Sequence, residues 1–194
     1  MQIGNVVNTK RLFDFLSASS LLLVLLPIIL FISLFIKLTS DGPVFYISDR
    51  VGVQNNIFKM YKFRTMIVGT PPVATHLLIN PEKYLTPTGR FLRKTSLDEL
   101  PQLFNIIRGK MSVVGPRPAL YNQNDLIELR TKKGIHKLIP GFTGWAQING
   151  RDGLSIPEKV DFDEYYLKHQ CFLLDLKIIW KTIFKVIKAE GVKH

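Results

Sequence analysis

The sequence predicts an α+β fold, mainly helical, with an N-terminal re-entrant membrane helix, a small β-hairpin and amphipathic interfacial helices. Three observations predict it. An apolar run extends from Leu12 to Leu38, and within it Leu21 to Ile36 carries one polar side chain, Ser33. Val44 to Ile47 reads as a short strand, and Ile57 to Arg64, whose second half alternates apolar and polar residues, reads as its partner. Helical patterns then follow at Leu100 to Ile107, Asn124 to Lys132 and Leu173 to Lys188.

The N-terminal run comes close to the ~20 apolar residues a helix needs to cross a bilayer, and Leu12 to Ser20 lengthen it. No small-residue cleavage site follows, which sets aside a cleaved signal peptide. Pro27 sits in mid-run, where it removes a helix hydrogen bond and kinks the axis. Lys10 and Arg11 precede the run, and Lys37 and a basic domain follow it. A straight span would put one basic end outside, against the positive-inside tendency. A helix that enters, bends near Pro27 and returns keeps both ends in the cytoplasm, with Ser19 and Ser20 within reach of freed backbone groups. A straight single span is the alternative. The chain therefore divides into a membrane helix over 1–40 and a second domain over 41–194, which this orientation places on the cytoplasmic side.

After the anchor, Asp41-Gly42-Pro43 forms a turn, and Asp49 to Asn56 suits the hairpin loop. Gly69 to Pro87 is a loop-rich insertion with four prolines. The helix over Leu100 to Ile107 ends at Gly109. In the last segment, Lys177, Lys181, Lys185 and Lys188 fall on one helical face, and Ile179, Trp180, Ile183, Phe184 and Ile187 cover much of the rest. Such a helix lies in a membrane interface or packs on the core with a solvated lysine face.

Composition narrows the partners. Among 194 residues, 26 Lys and Arg outnumber 15 Asp and Glu, a net charge of +11, and 46% of the chain is hydrophobic. That sign favours anionic partners: nucleic acid, anionic lipid or phosphorylated substrates. Cys171 is the one cysteine, so no intramolecular disulfide forms, and it reads as a small hydrophobe. There is no P-loop, no dinucleotide fingerprint and no nucleic-acid motif. His76, His136, His169 and His194 are scattered and receive no role.

The chemistry concentrates in three segments. Arg90 to Pro101 places a basic cluster before two adjacent carboxylates, Asp98 and Glu99. Ser96-Leu97-Asp98-Glu99 can be a capping box at a helix start. It can also serve phosphoryl chemistry. A carboxylate attacks phosphorus to give an acyl phosphate, cations offset the phosphate charge, and a second carboxylate holds Mg²⁺. Adjacent helical side chains diverge by about 100°, so one acid can face phosphorus and the other the metal. Gly115-Pro116-Arg117-Pro118 stiffens the backbone around Arg117, as a phosphate clamp or as a rigid turn. Pro140 to Arg151 adds glycines that allow close backbone approach to a ligand, and the charge of Arg151. As a glycine-punctuated loop and strand it would carry no chemistry.

In order, Lys10-Arg11-Leu12-Phe13-Asp14, the proline-containing apolar helix, Asp41-Gly42-Pro43-Val44-Phe45 and Tyr61-Lys62-Phe63-Arg64-Thr65-Met66 lead into the acidic segment Thr95 to Asn105. Met111 to Pro118, Pro140 to Arg151 and Asp163-Glu164-Tyr165-Tyr166 complete the set. This series resembles the bacterial sugar transferase family, the monotopic phosphoglycosyl transferases, over almost the whole chain, in a small form without extra membrane helices. The family often has Ser before the helix proline, where this chain has Leu26. The resemblance implies that Asp98 attacks the β-phosphorus of a UDP-sugar and releases UMP. It implies that Glu99 binds Mg²⁺ and that the phospho-sugar passes to undecaprenyl phosphate at the cytoplasmic face of a bacterial inner membrane. It assigns phosphates to Arg93, Arg117 and Arg151, and adds Arg64, also toward phosphate, and Asp163 to the pocket. The partners it implies are the UDP-sugar, undecaprenyl phosphate and membrane lipids, with no nucleic acid; a homodimer stays open. Asn122-Gln123 and the Thr70 to Leu78 insertion are similar to capsule-type members acting on N-acetylated 6-deoxy sugars, with UDP-glucose and UDP-galactose as alternatives. A membrane-anchored hydrolase, a non-enzymatic scaffold and a basic nucleic-acid binder are the rival classes.

Overall fold

A computed structural model describes residues 2–71, 78–150 and 153–187, with side chains from Thr9 to Val186. Arg151, His76, His194, Lys188 and most of the Thr70 to Leu78 insertion lie outside the described residues. The architecture is α+β and mainly helical.

Helix α1 (Gln2–Thr39) runs through Pro27 as one helix. Its buried side chains fall into two groups, Asp14 and Ala18 before the proline and Ile29, Ile32 and Ile36 after it. Between them Leu23, Val24, Leu26, Pro27 and Ile28 are exposed. Among the described residues, the serine hydroxyls that bond back within this helix are not those of Ser19 and Ser20. They are Ser17, to Phe13 O, and Ser33, to Ile29 O.

Strands β1 (Phe45–Val51) and β2 (Ile57–Phe63) form the expected antiparallel hairpin, with Phe45 opposite Phe63 and Val51 opposite Ile57. The first strand runs four residues further than its apolar pattern suggests. Gln54 and Asn55 take positive φ, which lets the chain reverse within a shorter loop. Next come α2 (Gly89–Lys94), a one-turn 3₁₀ segment at Leu97–Glu99, and α3 (Gln102–Ile107). Pro101 stands at the N-cap of α3, so the helix starts after it and no helical hydrogen bond is lost. Gly109, at φ +75°, ends the helix as its position predicts. Arg11 from α1 donates to Ile106 O and Ile107 O at 2.5 Å each, placing a cation on the carbonyl end of α3.

A parallel pair, β3 (Ser112–Val114) and β4 (Gly141–Thr143), brackets α4 (Asn124–Lys132). Its glycines let chain approach chain closely. A Cβ on Gly141 would lie 2.1 Å from Gly115 N, and one on Gly144 2.1 Å from Gly115 O. The chain closes with α5 (Trp145–Ile148), α6 (Ile156–His169) and α7 (Phe172–Ile187). The 14-residue α6 is absent from the sequence reading. It opens on a complete capping box, in which Ser155 Oγ accepts from Glu158 N and the Glu158 side chain accepts from Ser155 N.

The two halves of α1 pack on neighbouring parts of one body. Ala18 joins Phe58, Met60, Leu103, Ile106 and Met111, while Ile29, Ile32 and Ile36 join Phe63 and Leu92. Each fully buried residue of this kind contributes about 1.5–3 kcal/mol. Lys10 Nζ pairs with Asp175 of α7 at 2.5 Å, and Asp14 accepts the amide of Val113 at 3.0 Å. The buried face of α7 holds Asp175 and Ile178, whereas Leu173, Leu176, Trp180, Ile183 and Phe184 are exposed.

Candidate active site

The acidic segment is shaped by what precedes it. After α2, Ser96 takes the left-handed conformation (φ 57°, ψ 15°) and makes no side-chain cap bond. A capping serine needs extended backbone, so Ser96 does not cap, and Asp98 and Glu99 are free of that structural duty. The 3₁₀ turn points both carboxylates inward, leaving Asp98 8% and Glu99 7% exposed. Buried carboxylates need partners, and strand β2 supplies the first. Lys62 Nζ lies 2.7 Å from Glu99 Oε1 and 4.0 Å from Asp98 Oδ2. Arg117 Nη2 reaches the same Glu99 oxygen at 3.1 Å. Arg93, on α2, donates from Nε to Thr65 Oγ1 at 2.9 Å, and its charge acts on Asp98.

Arg50 completes the group from β1. Its Nε donates to Ser48 Oγ at 3.2 Å and its Nη1 to Pro118 O at 3.3 Å. Burial first, and then the adjacent Arg117, bring its guanidinium down to about 10. Four cations therefore surround two carboxylates, a surplus of positive charge suited to an arriving phosphate. Burial raises the Asp98 pKa above the ordinary carboxylate range; Lys62 opposes that shift, Glu99 adds to it, and Arg93 and Arg117 oppose it. Burial raises the energy of the Asp98 carboxylate and the neighbouring cations offset part of that cost, an environment suited to a nucleophile.

The other expected residues are placed differently. Arg64 is buried at the end of α1, donating to the carbonyls of Asp41 and Ser40 and to Ser40 Oγ, the last two at 3.0 and 2.9 Å. Its amide still donates to Val44 O, one position beyond the Phe45–Phe63 pair, but its guanidinium reaches back to Ser40 and Asp41. Asp163, 1% exposed, is bonded by Arg130 Nε and Nη2 at 3.0 and 2.6 Å and lies behind the Arg117 turn. Arg117, Arg93, Asp98 and Glu99 are brought together; Arg64 and Asp163 are not in that group. The sequence reading missed Lys62, Arg50, Thr65 and Arg130. Pairing with Tyr46 puts Lys62 on the same hairpin face as Ser48 and Arg50, a signal available only once the register is known.

Among the described residues no group of three or more His, Cys, Asp or Glu side chains gathers to hold a metal. Mg²⁺ is usually held by one or two carboxylates together with substrate phosphates and waters, so the Asp98–Glu99 pair fits it.

The chain is similar to known proteins along most of its length. The family model for bacterial sugar transferases matches residues 5–189. The sugar transferase EpsL of Bacillus subtilis (strain 168) is 44% identical over 187 residues, 95% of this chain and 90% of that protein. The exopolysaccharide production protein ExoY of Rhizobium meliloti (strain 1021) is 41% identical, covering 94% of this chain and 87% of that protein. The UDP-glucose:undecaprenyl-phosphate glucose-1-phosphate transferase of Escherichia coli (strain K12) is 40% identical over 91% of this chain, which spans 39% of that longer protein. By motif series, fold and similarity along nearly its whole length, this chain belongs to the bacterial sugar transferase family and is an enzyme of that class.

Proposed function

We propose that this enzyme transfers a sugar-1-phosphate from a UDP-sugar to undecaprenyl phosphate through a covalent intermediate on Asp98. The observation that carries the reading is the buried Asp98–Glu99 pair held among Lys62, Arg93, Arg117 and Arg50. In the first step an Asp98 carboxylate oxygen attacks the β-phosphorus, the bond from that phosphorus to the bridging oxygen breaks, and UMP departs. In the second, a phosphate oxygen of undecaprenyl phosphate attacks the same phosphorus. The bond to Asp98 breaks, the carboxylate is restored and the lipid diphospho-sugar leaves. Lys62 lowers the Asp98 pKa against the rise that burial causes and holds Glu99, while Arg117 and Arg93 neutralise the non-bridging oxygens as charge shifts between them. Glu99, beside Asp98, would hold Mg²⁺, which supplies charge neutralisation on the diphosphate. Relatives named for glucose and galactose transfer make UDP-glucose and UDP-galactose the first sugars to try.

Access to a lipid substrate follows from how α1 is mounted. Thr9–Thr39 contains an 18-residue window of mean hydropathy 2.9 and is long and apolar enough to cross a membrane. Its 31 residues measure about 46 Å as helix, against a hydrocarbon core of about 30 Å. Both of its ends are nonetheless fastened to the same folded body, Lys10 to Asp175 and the Ser40–Asp41 end to Arg64. A straight crossing would carry those ends to opposite sides, so the mounting supports entry and return from the cytoplasmic face. The exposed apolar stripe of α7 supports an interfacial position for that helix. Lys177 and Lys181 flank the Trp145 ring at 5.8 and 5.9 Å, a cationic and aromatic rim suited to the headgroup level.

The test is UMP release from a panel of UDP-sugars, with and without undecaprenyl phosphate and Mg²⁺. Lipid-dependent release that disappears in Asp98→Asn is the expected result. Full activity of Asp98→Asn would exclude the covalent route.

A further inference from the structure

The turn that carries Arg117 has little backbone bonding of its own. Pro116 and Pro118 lack N–H groups, and three carbonyls in a row depend on donors from elsewhere. Pro116 O accepts from Gly141 N at 2.9 Å, Pro118 O from Arg50 Nη1 at 3.3 Å, and Arg117 O from Arg130 Nη1 at 2.8 Å. Arg130 is itself immobilised. Its Nε and Nη2 both donate to Asp163 Oδ2, at 3.0 and 2.6 Å, and the two side chains are 12% and 1% exposed.

Burying an ion pair of this kind costs desolvation that an apolar pair of similar volume would avoid, so stability alone gives it no advantage. Its geometry does something an apolar pair cannot. Three bonds from one planar guanidinium fix its plane between α4, α6 and the Arg117 carbonyl. With that carbonyl fixed, the Arg117 side chain leaves the turn in one direction, toward Glu99 Oε1 at 3.1 Å.

We infer that Arg130 is a positioning residue for the transfer reaction: oriented by Asp163, it holds the Arg117 carbonyl so that the Arg117 guanidinium stays on Glu99 and on the transferred phosphate. Asp163 thereby acts from behind the site and touches no substrate. The inference rests on the phosphoryl-transfer reading given above.

The experiment measures UMP release by the full-length enzyme with a broad UDP-sugar panel and undecaprenyl phosphate, for Arg130→Met, Arg117→Met and the double variant. A misplacement of about 1 Å can cost on the order of 100-fold, the loss expected in kcat for Arg130→Met. In the Arg117→Met background the same change should cost less than about 3-fold, because the group it positions is gone. Arg130→Lys, which keeps the charge and one donor, should recover part of the rate. Arg130→Met stranding Asp163 could impair folding, so the paired variant Arg130→Met with Asp163→Leu is measured as well. It should fold and still show the loss. Equal losses from Arg130→Met with and without Arg117, or full activity of the paired variant, overturn the positioning role. An unmutated enzyme that releases UMP from no sugar overturns the transfer reading itself, and the inference with it.

Discussion

The pattern S-x-x-E occurs at Ser96–Glu99 and again at Ser155–Glu158, and the two copies fold differently. Ser155 is extended (φ −63°, ψ 163°) and exposed, and its hydroxyl and the Glu158 carboxylate cap α6 reciprocally. Ser96 is left-handed, caps nothing, and delivers Asp98 and Glu99 to a buried group of cations. Hydrogen bonds from Ser155 lower the Glu158 pKa, whereas burial raises that of Asp98. The two therefore contribute to stability with opposite pH dependence. The Glu158 contribution is present above the ordinary carboxylate range and is lost as pH falls. For Asp98 the folded state binds the proton more tightly than the unfolded chain, so stability falls as pH rises from the ordinary value through the raised one. The motif is identical; the backbone angle of one serine and the neighbouring charges decide whether the acids cap a helix or are buried among cations.

The sharpest way to break this comparison is Asp98→Asn. It should lower UMP release by at least about 10³-fold, as loss of a nucleophile does, while its thermal midpoint gains on that of the unmutated enzyme as pH rises above the ordinary carboxylate range, because burial raises the Asp98 pKa. A rate loss accompanied by a lower midpoint would return Asp98 to a structural role. Lys62→Met comes next, at about 10²–10³-fold in kcat/KM. Removing the cation that lowers the Asp98 pKa must move the acid limb of the pH–rate profile to higher pH, and an unmoved limb would dissociate Lys62 from Asp98. Ser96→Val forces a β-branched residue into positive φ, at a cost of about 1–3 kcal/mol in denaturant unfolding, with activity lost as the turn shifts; Ser96→Gly should be tolerated. Smallest is Ser155→Ala, expected to cost about 1 kcal/mol and to lower the melting midpoint by about 2–4 °C with unchanged kinetics.

The parts legible in the sequence were those with local signals. Alternation over Ile57 to Arg64 exposed the hairpin, and a basic cluster running into two acids exposed Asp98 and Glu99. Lys62 and Arg50 were hidden because the hairpin face they share is defined by pairing across the sheet. Arg64 entered the expected pocket through the family resemblance, whereas its guanidinium is held by Ser40 and Asp41. Helix α6 was hidden because its buried residues, Val160, Asp163 and Tyr166, include a charged side chain, and charged residues fill much of the rest. The parallel pair was hidden because two three-residue strands, separated by the whole α4 excursion, carry no periodicity of their own. The role of Arg151 lies outside what the described residues address.

The Arg64 clasp on Ser40 and Asp41 has a mechanical consequence. Where α1 meets the hairpin, a guanidinium bonded to successive carbonyls makes the joint stiff, and the opposite end is stiffened by Arg11 and Lys10. On the proposed membrane mounting, a bilayer that thickens or thins would raise or lower the whole body, carboxylates included, relative to the plane of lipid phosphates. Acyl-chain length in the surrounding membrane would then be a variable of turnover, set against a fixed mechanical depth.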